Sequence, residues 1–373
     1  CIETMTNRSQ DSISPSDAEV QAQQGVRKPD PEWIGEILGA SIRSLEARLL
    51  GESRGFQSTT WHLRLEAEIP GSCPASVILK SETSDADFQA FSRLNNAFGR
   101  EVGVYTHITP QLENHQPRVY GCHDGETSWL LIEDLTHLRS GDQVIGLSLA
   151  DTLDSVRRMG RLHARFWMDP ALEDHQWLPL HRFWFGQLKP EITDDFFRTY
   201  ATRFGTEVCR LYRAVQEQSD AIDQAINARP WTLVHGDLRA DNLLFDGDLD
   251  DPEAVIIDWS WAARSLGAID TAFLVGGSTP LAQRLGHHEE LLEAWHGSLL
   301  EGGVRDYPLQ EARRDLQLCA LRAMTTCETM HSFDRGAVTA VRAALFMDDA
   351  IQRHAAYAHE LRAWEALPDP KGF

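Results

Sequence analysis

The stretch of this 373-residue chain best suited to chemistry is WTLVHGDLRADNLLFDGDLDDPEAVIIDWS. It carries His235, Gly236 and Asp237 together, Asn242 five positions after that aspartate, and a later apolar strand ending in Ile257, Asp258 and Trp259. Asp237 and Asp258 are 21 positions apart and flank a predicted hairpin, so their side chains can converge on one spot. Two carboxylates and an amide oxygen suit the transfer of a phosphoryl group from a nucleotide. One carboxylate, Asp237, orients an attacking hydroxyl and accepts its proton. The other, Asp258, holds Mg2+ together with Asn242, and the ion neutralises charge on the phosphates. Hard oxygen donors suit magnesium, whereas a zinc site more often uses His and Cys.

These residues need a frame. Residues 1–28 are polar and are predicted to form a disordered tail. A helix is predicted to open at DPEWIGEILG, with Asp30 as its cap, Pro31 in the first turn, and Trp33, Ile34 and Ile37 on one side. The alternating runs IRSLEARLL and TTWHLRLEAEI, parted by the turn-like GESRGFQS and followed by SVILK, predict an antiparallel meander. Residues 86–108 show continuous helical spacing at Phe88, Phe91, Leu94, Phe98, Val102 and Tyr105. Two more strands are expected around PRVYGCHD and SWLLIEDL. After residue 140, amphipathic segments dominate at 147–168, 191–228, 280–301 and 310–363, and the strand-loop-strand stretch above interrupts them. The predicted division is an N-lobe of residues 29–137, which binds nucleotide, and a C-lobe of residues 138–373, which carries the catalytic loop, metal and acceptor site.

The Asp-x-x-x-x-Asn spacing is that of the protein-kinase catalytic loop, with His-Gly-Asp in place of His-Arg-Asp and Asp-Trp-Ser in place of Asp-Phe-Gly. LVHGDLRADNLLF and AVIIDWSWA resemble the aminoglycoside phosphotransferase and choline kinase superfamily of small-molecule kinases. PEWIGEIL, LLGESRGFQSTTWHLRLE, VILKSE, REVGVYTHI and LLIEDL, in that order, resemble its ecdysteroid kinase-like branch. The resemblance runs from residue 29 to about 275 and implies an α+β, two-lobed, protein-kinase-like fold with a small antiparallel-sheet N-lobe and a larger, mainly helical C-lobe.

The implied activity is ATP-dependent phosphorylation of a small-molecule hydroxyl, with ATP and Mg2+ as cofactors. Lys80, one of four lysines, ends the apolar strand SVILK, where a lysine is costly without a partner. Its expected role is to contact the α- and β-phosphates, paired with Glu101; a solvated strand end and an exposed helix acid are the structural alternatives. Gly51, Gly55 and Ser58 would form the phosphate-covering turn, which lacks a strict GxGxxG and also suits an ordinary hairpin. The backbone of Glu133 and Leu135 would read the adenine edge. For Asp270 the resemblance implies a brace for the catalytic loop, beside a compatible reading as a helix cap. His163 is expected to pack in the core, and the resemblance implies that it supports the loop. His235 is expected to hold the loop rather than act as a base. Arg239 can meet the transferring group, the acceptor or a surface partner, and Asp241 a metal, the acceptor or solvent. Trp259 and Trp261, beside Asp258, can line the site as well as pack.

The charge balance, 35 basic against 56 acidic residues, gives −21. A nucleic-acid reader should carry a basic footprint, so no nucleic-acid partner is expected. Nor does any run approach the roughly 18 apolar residues of a membrane helix. Cys1, Cys73, Cys122, Cys209, Cys319 and Cys327 form no CxxC pair, which predicts a reduced, cytoplasmic chain. Two other functions remain open: a catalytically inactive nucleotide-binding relative, and a metal-dependent hydrolase built on His235, Asp237 and Asp258. Protein-kinase activity is not expected, because Ser260 stands where glycine would and no APE-like segment follows. Aminoglycosides, amino alcohols and other hydroxylated metabolites are the candidate acceptors.

Overall fold

The computed structural model describes residues 28–50, 58–83, 85–112, 116–125, 127–180, 190–332 and 341–370. The N-terminal tail, and Gly51 and Gly55 of the expected phosphate-covering turn, lie outside these residues. The chain separates into two compact units, Cys1–His137 and Leu138–Phe373.

In the first unit, helix α1 (Pro31–Leu38) starts where the Asp30 side chain accepts a hydrogen bond from Trp33 N at 2.9 Å, and it ends at Gly39 in the left-handed region. Five antiparallel strands follow: β1 (Ile42–Leu50), β2 (Ser58–Ala67), β3 (Ser76–Glu82), β4 (Val119–His123) and β5 (Trp129–Glu133), in the order β1-β2-β3-β5-β4. Trp33 and Ile34 of α1 pack on Leu63, Leu65, Val77, Leu79 and Leu131. Burial of each such side chain contributes roughly 1.5–3 kcal/mol. Because side chains alternate along a strand, Val77 and Leu79 face α1 while Ile78 and Lys80 emerge on the other face of the central strand.

The continuous helix expected over 86–108 is instead broken. Helix α2 (Ala86–Leu94) ends before Asn96, whose φ of 49° redirects the chain into α3 (Ala97–Gly103) and a π-helical turn, Val104–Ile108. Asn95 assists by donating its side-chain amide to Phe91 O. The apolar spacing carries on through the break, so Leu94, nominally on the core stripe, is 74% exposed.

The second unit is mainly helical. Strand β6 (Arg139–Ser140) is followed by α4 (Leu149–Arg165), α5 (Pro190–Glu217, kinked at Gly205) and α6 (Ser219–Asn227). Then come β7 (Thr232–Val234), β8 (Leu243–Gly247), β9 (Pro252–Ile256) and β10 (Ala263–Ser265). Helices α7 (Ala268–Phe273), α8 (His288–Glu301), α9 (Leu309–Ser332) and α10 (Val341–Glu360) complete it. β6, β8 and β9 make one antiparallel sheet, and β7 pairs with β10. α4 is capped by Ser148, whose Oγ accepts from Asp151 N, and it buries Val156, Met159, Leu162 and His163. α8 crosses it closely: a Cβ at Gly160 would stand 2.8 Å from Trp295 O. Among the described residues no helix is long and apolar enough to cross a membrane, and Cys73, Cys122, Cys209 and Cys319 are free thiols.

Candidate active site

The loop between β7 and β8 carries His235, Asp237 and Asn242, and its shape is fixed from below by one buried carboxylate. Asp270, in the first turn of α7, accepts from His235 N at 2.7 Å and Gly236 N at 2.9 Å. Its side chain makes no cap on its own helix; it braces the loop. His163 holds Asp270 in turn. The Trp295 indole can only donate, so His163 Nδ1 accepts from it at 3.0 Å, and His163 Nε2–H is left to donate to Asp270 Oδ2 at 3.2 Å. Burial works to raise the Asp270 pKa, but the hydrogen bonds from His163 and from His235 N outweigh it and hold the carboxyl below its ordinary value.

His235 is fully buried, and both ring nitrogens are committed. Nε2–H donates to Ile257 O at 3.0 Å, and Nδ1 accepts from Asp237 N at 3.2 Å. Its ring packs against Trp259, centroids 4.8 Å apart. Trp259 is fully buried. A ring engaged on both sides is a scaffold and is neither a base nor a metal ligand, which argues against the hydrolase constellation. Gly236 turns the chain with φ of 81°, and a Cβ there would meet Trp261 O at 2.3 Å. Gly236→Ala is therefore expected to destabilise the protein by roughly 1–3 kcal/mol and to displace Asp237. A lowered melting temperature together with lost turnover checks this.

Asp237 and Asn242 meet directly. Asn242 Nδ2 donates to Asp237 O at 2.9 Å and to Asp237 Oδ2 at 3.2 Å. Asp258 is brought alongside by the β8–β9 hairpin: Leu243 pairs with Ile256, and Ile257 N donates to Asn242 O at 3.0 Å. Asp258 itself has φ of 66°, a left-handed backbone that is rare for a residue with a Cβ. The donor set fits Mg2+. With Nδ2 of Asn242 turned to Asp237, its Oδ1 would be the end to meet such an ion, and the Asp258 carboxylate would be a second hard oxygen. Magnesium takes the rest of its shell from water and substrate phosphates. Among the described residues no cluster of three or more His, Cys, Asp or Glu side chains is placed to cage a metal alone.

Arg239 lies against the same acids. Nε donates to Asp237 Oδ2 at 3.2 Å and Nη1 to Asp241 Oδ2 at 2.9 Å. Burial would weaken its charge, but Asp237, Asp241 and Asp258 together raise its pKa. Two supports carried no motif in the sequence. Gln143, buried just after β6, gives its backbone N–H to Asp241 Oδ1 at 3.1 Å and accepts Ala240 N on its Oε1 at 3.0 Å. Ser278 Oγ accepts Ala240 N at 2.9 Å and donates to the same Gln143 Oε1.

In the first unit, Lys80 Nζ lies 2.9 Å from Glu101 Oε1 and 2.7 Å from Oε2. Both residues are buried, Lys80 opposite Thr60 on β2 and Leu130 on β5, Glu101 in α3. Glu133 closes β5, and its N–H donates to Arg118 O at 2.8 Å, so that amide is used within the sheet and is not offered to a base edge. Leu135 is buried. Between them, burial opposes the charge of Asp134, but Ser76, Thr136 and His62 all hydrogen-bond to it and hold its carboxyl down at about 2. This knot ties the exit of β5 to β2 and β3. Ser58 begins β2, opposite Glu82.

Comparisons with known proteins agree with this framework. Among proteins of curated function, none matches the sequence. Over the whole chain the structure is similar to a microcompartment-associated aminopropanol kinase, with 16% identity, TM-score 0.50, and 94% of this chain and 99% of that one covered. It is also similar to an ethanolamine kinase of Plasmodium vivax, with 10% identity, TM-score 0.50, and 92% and 95% covered. At such identities the likeness speaks to fold: an antiparallel-sheet N-terminal part and a helical C-terminal part of the kinase-like kind. The sequence matches the profile of the ecdysteroid kinase-like family over residues 55–304, more than half of its length. This chain therefore belongs to the ecdysteroid kinase-like family.

Proposed function

We propose that the protein transfers the γ-phosphoryl group of ATP to a hydroxyl of a small molecule. The observation that carries this reading is the loop in which a buried Asp270–His163 brace presents Asp237 beside Asn242 and the strained Asp258. Asp237 orients the acceptor hydroxyl; as the new O–P bond forms, the hydroxyl proton passes to its carboxylate and ADP leaves with the electrons of the broken P–O bond. Asn242 Oδ1 and the Asp258 carboxylate would hold Mg2+. The ion, when bound, supplies positive charge to the phosphate oxygens. Lys80, oriented by Glu101, contacts the α- and β-phosphates, and Ser58 a phosphate oxygen. At the β5 exit, backbone at Glu133 and Leu135 contacts the adenine, with the Glu133 carbonyl as the contact atom there. The acceptor class includes amino alcohols and aminoglycosides, cations that suit a chain of charge −21.

Lys80→Met tests the nucleotide half. The loss of one charge-assisted hydrogen bond, roughly 1.5–3 kcal/mol, should weaken ATP binding about tenfold to a hundredfold in calorimetric titration. Unchanged affinity would remove Lys80 from the site. Transfer itself is tested by incubating the protein with ATP labelled at the γ-phosphorus, Mg2+ and a panel of small alcohols. Label in an organic ester is expected, and it should vanish with EDTA. Nucleotide binding with all label left in ATP would favour the inactive relative.

A further inference from the structure

We infer that Arg239 is a positioning residue that fixes which oxygen of Asp237 meets the acceptor hydroxyl; the inference rests on the phosphotransferase reading above. Asp237 is 30% exposed at its side chain, so packing alone does not set its rotamer. Its Oδ2 takes two donors, Arg239 Nε and Asn242 Nδ2, each at 3.2 Å. That leaves Oδ1 as the oxygen turned toward an incoming hydroxyl. The guanidinium is itself anchored at its other end. Nη1 reaches Asp241 Oδ2 at 2.9 Å, and Asp241 Oδ1 takes the backbone N–H of Gln143. Gln143 is 3% exposed and tied through its amide to Gly277 O and Ala240 N. A chain of hydrogen bonds thus runs from a buried, rigid residue through Asp241 and Arg239 to one oxygen of the reacting carboxylate.

The residue type matters. Nε and Nη1 leave the planar guanidinium in fixed directions, so one side chain bridges two carboxylates with defined geometry. A lysine ammonium is a single point donor and cannot span both. Arg239 makes no bond to the transferring group in this scheme. It acts through Asp237, and its loss should appear in turnover rather than in nucleotide affinity.

The test compares wild type, Arg239→Ala, Arg239→Lys and Asp237→Ala by ADP release from Mg2+-ATP, with ethanolamine, aminopropanol and kanamycin as acceptor probes. For Arg239→Ala, kcat should fall about a hundredfold, the effect of a misplacement of roughly 1 Å, while KM for ATP stays within about threefold. Added guanidinium at sub-denaturing concentration should restore part of that loss in Arg239→Ala and none in Asp237→Ala. Arg239→Lys keeps the charge and serves if the alanine variant fails to fold; its kcat should still fall about tenfold. The inference is overturned by near-wild-type kcat in either arginine variant, by a loss confined to KM for ATP, or by absence of guanidinium rescue in a folded Arg239→Ala. Turnover that survives in Asp237→Ala, or no ADP release by wild type with any probe, would instead defeat the phosphotransferase reading itself. An inactive Asp237→Ala beside a fully active Arg239→Ala removes the Arg239 inference alone.

Discussion

Asp237→Ala is expected to lower turnover on the order of a thousandfold while ATP affinity stays within about threefold, because in the proposed transfer the carboxylate acts on the hydroxyl proton and not on the nucleotide. The reason is geometric. Asp237 is half-buried at the end of a loop whose backbone is held by Asp270, and its Oδ2 is engaged by Arg239 and Asn242. Replacement by alanine leaves the Asp270 contacts in place, so the loop, Asn242 and Asp258 should persist. Rapid-quench measurement of ADP formation, beside calorimetry with ATP, separates the two quantities. Parallel losses in both would mean that the substitution collapses the site, and undiminished ADP release would remove Asp237 from the chemistry.

Asp270→Ala is expected to do something different: to unfold the site from beneath. The carboxylate is 1% exposed and accepts from His235 N, Gly236 N and His163 Nε2. Its removal leaves buried donors without acceptors, each at about 1–3 kcal/mol, so a total near 3–5 kcal/mol is the expected loss of stability. For a unit of this size that corresponds to a melting temperature lower by roughly 10 °C. The same group gives a pH dependence of definite sign. Because the folded-state carboxyl titrates below its ordinary value of 3.8, the stabilisation it provides is complete above that value. It should be lost as pH falls through the lower, folded-state value. Melting curves across the acid range for wild type and Asp270→Asn check this; identical acid limbs would contradict it.

Much of the framework was legible from residue types. A lone lysine ending an apolar strand calls for a buried partner, and Lys80 and Glu101 do meet. The strand-loop-strand stretch, with Asn242 five residues beyond Asp237, brings those two side chains into contact. Asp30 and Pro31 announced α1, because a capping carboxylate and a proline each suit one position of a helix start. The turn at Asn96 was not legible, since apolar spacing continues through it while the backbone turns left-handed. Gln143 and Ser278 were not legible either. They reach the loop across sequence separations of 97 and 38 residues, and a buried amide or hydroxyl carries no periodicity to mark it. For Asp270 the sequence allowed a helix cap as well as a brace, and the placement of His235 N and Gly236 N shows the bracing contacts. For Glu133, strand patterning located the end of β5 but could not show that its N–H is taken by Arg118 O.

The most direct test of phosphoryl transfer is mass spectrometry of a hydroxylated-compound panel after exposure to ATP and Mg2+ with wild type and Asp237→Asn side by side. The wild-type protein should add the mass of one phosphate to at least one alcohol, with matching ADP, and the asparagine variant should leave that alcohol unchanged. An equal yield of the ester from both proteins, or consumption of ATP with inorganic phosphate as its sole product, would contradict it.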